Sequence, residues 1–169
     1  MRAWKLATIM ALSVSPAYSL ETKDIIGTWH LVSAENRILE TNEVVDAYGG
    51  PRPNGWINYD KDGRMMVVCA YDRRETPTSK GSFTDQERIG LQKTFFAYAG
   101  TYTFDGSKVN HNIDVSSNQT WTGLKQARNV EYKDGNLIYT TQPQMNTVIG
   151  KMVVVTLVWE RYKPESNQQ

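Results

Sequence analysis

The segment KVNHNIDVSS, residues 108–117, contains His111, one of only two histidines in the chain. Apolar and polar residues alternate along it, which is typical of a β-strand with one buried face. The apolar face of this predicted strand is formed by Val109, His111, Ile113 and Val115. An imidazole on such a face can act as a general acid or base, or it can be a hydrogen-bonded core residue. The sequence leaves both interpretations open.

A second segment, LKQARNVEY at residues 124–132, brings an amide and a guanidinium to the same kind of face. Gln126 and Arg128 alternate in phase with the apolar residues Leu124, Val130 and Tyr132. Because an unpaired buried charge costs several kcal/mol, Arg128 requires a carboxylate, a bound anion or water there. Glu35, which shares its parity with Trp29, is one candidate carboxylate. A bound carboxylate or enolate would also suit the guanidinium, whose fork matches two oxygens.

Three aromatic residues join His111, Arg128 and Gln126 as candidate ligand-binding residues. Tyr98 and Trp121 each lie next to a predicted strand end, and Tyr71 belongs to the aromatic residues that can line a pocket or fill a core. The second histidine, His30, alternates out of phase with its apolar neighbours and is predicted to face outward.

Other familiar chemistries have no support in the sequence. Cys69 alternates with Met65 and Val67, which indicates a buried structural thiol, and a single cysteine excludes an internal disulfide. Two histidines on opposed faces and one cysteine do not form a zinc site. The chain lacks a glycine-rich phosphate loop, a Gly-x-Ser-x-Gly elbow and a His-Glu-x-x-His motif. We therefore predict neither a metal nor a cofactor.

The elements that position these residues are predicted to be mainly β-strands. Three segments, at residues 59–64, 104–108 and 132–136, place Asp-Gly between extended runs, which is a strong signal for a β-hairpin. Further strands flank these hairpins, at IIGTWHLVSAENRI, EVVDAY and KMVVVTLVWERYK. A meander of this kind avoids exposed edges by closing on itself. The predicted fold is an all-β, up-and-down antiparallel barrel of about 8–10 strands.

One helix is predicted to interrupt the strands, in SFTDQERIGLQKTFFAYAG. Thr84 followed by Glu87 three residues later forms a capping box, and Gly100 marks the predicted end of the helix.

The N-terminal 19 residues have the three parts of a secretory signal peptide: Arg2 and Lys5, a short apolar run, and a small-residue cleavage site ending at Ser19. The expected domains are a signal peptide at 1–19 and one barrel domain at 20–169, with a periplasmic or secreted location. Without Arg2 and Lys5 the chain carries 17 basic and 18 acidic residues, a formal charge of −1. This balance gives no support for nucleic-acid binding, and the apolar run is too short for stable membrane insertion. The sequence does not predict an oligomeric state.

The sequence also resembles a known family. GTW at 27–29 and WER at 159–161 resemble the lipocalin pattern, and IIGTWHLVSAE, PNGWINYDKDGRMMV and DGNLIYTT are similar to the bacterial and fungal lipocalin-like domain family. The resemblance implies a calycin-type barrel with an internal cavity, and structural roles for Gly27, Trp29 and Arg161, with the arginine packed across the tryptophan at the closed end. The chain departs from secreted animal lipocalins by lacking their disulfide and by its mid-chain helix, so their ligands are not transferred.

Three functions are compatible with these features. The first is an exported barrel that binds a small hydrophobic or amphipathic molecule, with an anionic or carbonyl group oriented by His111 and Arg128. The second is an isomerase, cyclase or decarboxylase in which His111 is the acid or base and Arg128 stabilises an oxyanion. The third is a barrel with a filled core that acts through its surface as an envelope interaction protein.

Overall fold

The computed structural model describes residues 20–78 and 80–164. The predicted signal peptide, residues 1–19, lies outside the described residues. Within the described part of the chain, no helix has the length and apolar character needed to cross a membrane.

Ten strands and two helices make up the described chain. The helices are α1 (Thr22–Ile25) and α2 (Asp85–Lys93), and a short 3₁₀ turn spans Gln119–Trp121. The strands are β1 (Gly27–Ile38), β2 (Val44–Asp46), β3 (Asn54–Tyr59), β4 (Arg64–Ala70), β5 (Phe95–Phe104), β6 (Lys108–Ser116), β7 (Lys125–Lys133), β8 (Asn136–Thr140), β9 (Gln144–Asn146) and β10 (Lys151–Arg161).

The sheet closes into an antiparallel barrel because its first and last long strands pair with each other. β1 pairs with β10 from Trp29 opposite Arg161 to Ile38 opposite Val153. Eight strands form the barrel, namely β1, β3 to β8 and β10, while β2 and β9 extend it along β1 and β10. The predicted up-and-down barrel is confirmed. Closure leaves no free edge among the eight strands, which is the physical reason why such a meander is stable.

The three predicted hairpins are β3–β4, β5–β6 and β7–β8. Their turns contain Gly63, Gly106 and Gly135, each with a positive φ between 84° and 94°. Glycine reaches this region without steric cost, which explains the Asp-Gly pairs in the sequence. All three turns lie at the end of the barrel where β1 begins.

The predicted C-terminal limit of the mid-chain helix is wrong. α2 begins after Thr84, whose side chain accepts a hydrogen bond from the backbone N–H of Glu87, but it ends at Lys93. The following residues, which the sequence assigned to the helix, form β5 and pair with β4 from Phe95 opposite Ala70 onward. Pairing with β4 and β6 satisfies the backbone of β5 on both sides, and this tertiary environment overrides the local helical pattern.

Two irregularities in the strands change which residues face the interior. The register of β1 shifts between Leu31 and Ser33, so Ala34, Asn36 and Ile38 are buried after the shift. Glu35 is consequently exposed, and the suggestion that it pairs with Arg128 is wrong. A bulge inserts an unpaired residue and reverses the alternation that strict parity assumes.

Three other residues that the alternation assigned to the interior are also exposed. Val115 is 58% exposed because the β5–β6 register shifts between Ala99 and Gly100. Leu124, just before β7, and Tyr132, beside the β7–β8 turn, are 50% and 44% exposed. Alternation therefore identifies interior residues only in the regular middle of β6 and β7.

The end of the barrel next to α1 is closed by the residues of the Gly-x-Trp and Trp-x-Arg segments. The Arg161 guanidinium carbon lies 4.2 Å from the centre of the Trp29 ring, and Arg161 Nη1 donates to the Ile26 carbonyl at 2.8 Å. The Trp29 indole N–H donates to the Ile25 carbonyl at 2.8 Å. Gly27 has φ +124°, and a Cβ there would lie 2.8 Å from Arg161 Nη1. The glycine thus leaves the space that the guanidinium occupies.

Candidate functional site

His111 lies in the barrel interior, where both of its ring nitrogens contact tyrosines. It is 1% exposed, and its position on β6 lies opposite Tyr102 of β5 and Gln126 of β7. Nε2 is 2.7 Å from the hydroxyl of Tyr59, and Nδ1 is 3.0 Å from the hydroxyl of Tyr98. The imidazole therefore joins the ends of two other side chains, one from β3 and one from β5.

A third tyrosine extends this set of hydrogen bonds. The Tyr139 hydroxyl, from β8, donates to the Tyr59 hydroxyl at 3.1 Å. Tyr139 and Tyr59 are each 1% exposed and Tyr98 is 8% exposed. We call these four side chains, Tyr139, Tyr59, His111 and Tyr98, the tyrosine–histidine chain. It crosses the lumen from β8 to β5.

The tyrosine–histidine chain is uncharged at neutral pH. Burial, reinforced by the positive charge of Arg128, lowers the pKa of His111 to about 3. Burial raises the pKa of Tyr98 and Tyr139 above the usual phenol value, and it raises the pKa of Tyr59 well above that value. Desolvation disfavours the charged form of each group, so imidazole and phenols all stay neutral.

Arg128 projects from β7 into the same region of the lumen. Its Nη2 donates to Gln126 Oε1 at 2.8 Å and its Nη1 donates to the carbonyl of Ala127 at 3.0 Å. The guanidinium charge lowers the pKa of His111. It also lowers the pKa of Tyr98 and so opposes the increase that burial causes there. Gln126 and Arg128 therefore form one polar pair next to the tyrosine–histidine chain.

This part of the lumen contains hydrogen-bond donors that have no acceptor among the described residues. Among residues 20–78 and 80–164, the structure shows no carboxylate within ion-pair distance of Arg128. Two of its five N–H groups are used by the bonds above. The indole N–H of Trp159, whose ring centre lies 6.3 Å from that of Tyr139, has no acceptor within the described part of the chain. The interior thus favours a group that only accepts hydrogen bonds.

The end of the barrel opposite α1 carries an aromatic cluster that includes the other predicted binding residues. Trp121, in the 3₁₀ turn after β6, packs edge-on against Tyr98 and Phe96, with ring centres 6.0 and 5.7 Å apart. Tyr71 packs against Tyr48 at 5.1 Å. Tyr98 lies within β5 and not at a strand end, so its predicted position was wrong although it faces the lumen. The cluster places apolar surface beside the polar pair.

Sequence reasoning did not select Tyr59, Tyr139 or Tyr48 as site residues. The alternation that identified His111 also covers β3 and β8, where Tyr59 is in phase with Ile57 and Tyr139 with Leu137. The same signal was therefore available for these two. Tyr48 lies in the segment between β2 and β3 and has no strand periodicity to locate it.

The remaining residues considered from the sequence lie away from this site or are inert. His30 faces outward, 3.3 Å from a carboxylate oxygen of Glu160 and packed on Trp56. Cys69 is 1% exposed, and burial raises the pKa of its thiol to about 12. In the described residues no group of three or more His, Cys, Asp or Glu side chains is arranged to hold a metal ion.

A separate apolar groove of about 430 Å³ lies on the outer surface of the barrel. Its floor contains Ala97 and Ala99 of β5, between Met66 and Val68 on one side and Val115 on the other. The groove is distinct from the lumen because these side chains point away from His111 along their strands.

Comparison with known proteins places the chain in a family. The model of the lipocalin-like domain matches residues 26–162. No curated protein sequence matches the chain significantly.

The solved structures that match the chain share little sequence with it. A lipocalin-like protein from Bacteroides uniformis is 14% identical, with 82% of this chain and 99% of that chain covered and a TM-score of 0.44. An uncharacterized protein from Bacteroides eggerthii is 12% identical, with 82% and 100% covered and a TM-score of 0.43. A mutant of the fluorescent protein UnaG is 16% identical, with 83% and 98% covered and a TM-score of 0.38.

Proposed function

The chain belongs to the lipocalin-like domain family, and from this premise we propose that its barrel binds a small, mostly apolar molecule whose anionic or carbonyl group lies beside Arg128. The observation that carries the proposal is the half-buried guanidinium, which has no carboxylate partner in the described residues. A charge in such a position is costly unless it is compensated. A carboxylate or similar group on a ligand would compensate it and use its free N–H donors.

The aromatic cluster supplies the apolar part of the proposed site. Trp121, Phe96 and Tyr98 pack against one another at the end of the barrel that α1 does not close. Aromatic rings bury a large apolar area and are frequent in the walls of small-molecule sites. A ligand with an apolar body facing this cluster and an acceptor group facing Arg128 would match both surfaces.

An enzyme that uses His111 as its acid or base has less support. Both ring nitrogens already contact tyrosine hydroxyls, and a pKa of about 3 makes the imidazole a weak base. An efficient general base has a pKa near the working pH. We therefore favour binding over catalysis, with His111 supporting the site through Tyr98.

We further propose that the barrel is exported after removal of residues 1–19. N-terminal sequencing of the protein from the periplasm or culture medium of a bacterial producer is expected to start at Leu20. A chain that retains Met1 or Arg2 in the cytoplasm would contradict export.

The binding proposal is tested with two probes of the same ring skeleton. 1-Anilinonaphthalene-8-sulfonate is anionic, and N-phenyl-1-naphthylamine lacks the sulfonate. We expect the protein to bind the anionic probe more tightly than the neutral one. Arg128→Met is expected to lower the affinity for the anionic probe about tenfold or more, while the affinity for the neutral probe changes by less than about threefold.

Two variants control for charge and location. Arg37→Met removes an exposed arginine from the outer face of β1, and Met66→Lys alters the outer groove. Both are expected to leave the affinity for the anionic probe unchanged. Failure of the wild-type protein to bind either probe, or an Arg128→Met variant with wild-type affinity for the sulfonate, would overturn the proposal.

A further inference from the structure

The tyrosine–histidine chain holds more hydrogens than its internal contacts use. Three hydroxyls and one neutral imidazole carry four polar hydrogens between them. Three contacts join the four groups, at 3.1, 2.7 and 3.0 Å. Each contact uses one of these hydrogens, so one polar hydrogen remains to be donated to a group outside the tyrosine–histidine chain. Which group presents it depends on which nitrogen of His111 is protonated.

The contact distances favour one direction for these hydrogen bonds. The Tyr59 contact to Nε2 is 2.7 Å, in the range of hydroxyl donors, whereas the Tyr98 contact to Nδ1 is 3.0 Å, near the usual N–H···O distance. Tyr59 also accepts a hydrogen bond from Tyr139, which leaves its own hydrogen to be donated elsewhere. Both observations point to Tyr59 donating to Nε2 and to Nδ1–H donating to Tyr98.

The opposite direction would leave a donor buried without an acceptor. If Nε2 were protonated while Tyr139 donates to Tyr59, the hydrogen of Tyr59 would have no acceptor in the described residues. If Tyr59 instead donated to Tyr139, the hydrogen of Tyr139, which is also 1% exposed, would have none. Tyr59 is 1% exposed and lies near the closed end, where it packs edge-on against Tyr102. A buried donor without a partner costs about 1–3 kcal/mol. In the Nδ1–H form the extra hydrogen is on Tyr98, which is 8% exposed and lies nearer the end of the barrel that α1 does not close, where a ligand or water in the lumen can accept it.

We propose that the tyrosine–histidine chain fixes His111 as the Nδ1–H tautomer, and that Tyr98 in consequence presents its hydroxyl hydrogen to the lumen as a second donor beside Arg128. His111 is then a positioning residue, because it acts on a ligand only through Tyr98. Two donors in the same region of the lumen, one of them cationic, match a group with two acceptor oxygens. The ligand class is therefore a carboxylate, or a sulfonate in the probe, and not an amine or a simple alcohol.

The tautomer does not depend on any ligand, whereas the ligand class rests on the proposed function. The first experiment therefore measures the tautomer in the unliganded protein. Long-range ¹H–¹⁵N correlation spectra of ¹⁵N-labelled protein at neutral pH separate protonated from unprotonated ring nitrogens. Only His30 and His111 are present in the chain, and a His30→Gln variant assigns the signals. We expect a protonated Nδ1 and an unprotonated Nε2 for His111, and a protonated Nε2 would overturn the inference.

Two variants that each remove one hydroxyl oxygen test the direction of the hydrogen bonds in the tyrosine–histidine chain. Tyr59→Phe removes the donor to Nε2, so the population of the Nε2–H tautomer is expected to rise as Tyr98 turns its hydrogen toward Nδ1. Tyr139→Phe is the matched control, because Tyr59 can still donate to Nε2 without it. We expect no change of tautomer in Tyr139→Phe. An equal change in both variants would contradict the proposed direction of the hydrogen bonds, from Tyr59 to Nε2 and from Nδ1–H to Tyr98.

The same two variants, together with Tyr98→Phe, connect the tautomer to binding. Tyr98→Phe is expected to lower the affinity for the anionic probe about tenfold and to leave the affinity for the neutral probe unchanged. Tyr59→Phe is also expected to lower the affinity for the anionic probe, although Tyr59 acts on Tyr98 only through His111. Tyr139→Phe is expected to leave this affinity unchanged. If neither probe binds the wild-type protein, the proposed function fails while the tautomer result stands. If the sulfonate binds but Tyr98→Phe has no effect, Tyr98 is not the second donor.

Discussion

The hydroxyl of Tyr59 lies 2.7 Å from Nε2 of His111, across the lumen of the barrel. Two strands, β4 and β5, separate β3 from β6 along the sheet, so this contact is made only because the sheet closes. It connects the polar interior to the closed end, since Tyr59 also packs edge-on against Tyr102, whose hydroxyl donates to the Asp60 carbonyl in the β3–β4 turn. The interior polar groups are thus part of the framework of the barrel.

The central position of Tyr59 predicts a large loss of stability when its hydroxyl is removed. Tyr59→Phe takes a partner from both His111 and Tyr139, and we expect a loss of about 2–4 kcal/mol in the free energy of unfolding. Tyr139→Phe removes a single hydrogen bond and is expected to cost about 1 kcal/mol. Urea unfolding followed by tryptophan fluorescence measures both, and equal losses would show that Tyr59 does not link two contacts.

The lowered pKa of His111 predicts that acid weakens the fold. The pKa is about 3 in the folded protein and about 6.5 in an unfolded chain. Between these values the unfolded state binds one more proton, so the free energy of unfolding rises with pH. The contribution of His111 is complete above about pH 6.5 and is lost as the pH falls toward 3, by up to about 1.4 kcal/mol per pH unit.

This effect is measured as the slope of the free energy of unfolding against pH. A general loss of stability lowers the free energy at every pH and leaves this slope unchanged. Urea unfolding between pH 4 and 7 is expected to show a shallower pH dependence in His111→Gln than in the wild-type protein. His30→Gln, which changes the outward-facing histidine, is expected to keep the wild-type slope. Parallel curves for the wild-type protein and His111→Gln would contradict a neutral buried imidazole.

The contact between Gly27 and Arg161 predicts a strong effect of one added methyl group. Gly27→Ala places a Cβ 2.8 Å from Arg161 Nη1 at φ +124°, and we expect a loss of about 2 kcal/mol or more and a melting temperature lower by about 4–8 °C. Gly90→Ala is the control, because Gly90 lies within α2 with open space around its Cα. Alanine favours a helix interior by about 0.5–1 kcal/mol, so Gly90→Ala is expected to raise the melting temperature slightly. Calorimetry measures both, and the same sign of change would contradict the role assigned to Gly27.

The sequence was sufficient for the barrel and for the interior placement of His111, Gln126 and Arg128. Asp-Gly turns specify hairpins locally, and alternation specifies the faces of regular strands, so both signals are present in a few adjacent residues. The lipocalin-like resemblance is confirmed by the family match over residues 26–162. The C-terminal limit of α2 and the faces of Glu35 and Val115 were wrong, because strand pairing and register shifts depend on distant residues.

What the sequence by itself determined is therefore local: where the chain turns, which strands alternate, and that a histidine and an arginine lie on apolar faces. Only the tertiary structure decided what those residues contact. Closure of β1 on β10 brings Tyr59, Tyr98 and Tyr139 from three strands to the two sides of one imidazole, and bulges turn Glu35 away from Arg128. Hydrogen bonds across a lumen join residues far apart in the chain, so no local pattern encodes them, and their geometry follows only from the way the whole sheet closes.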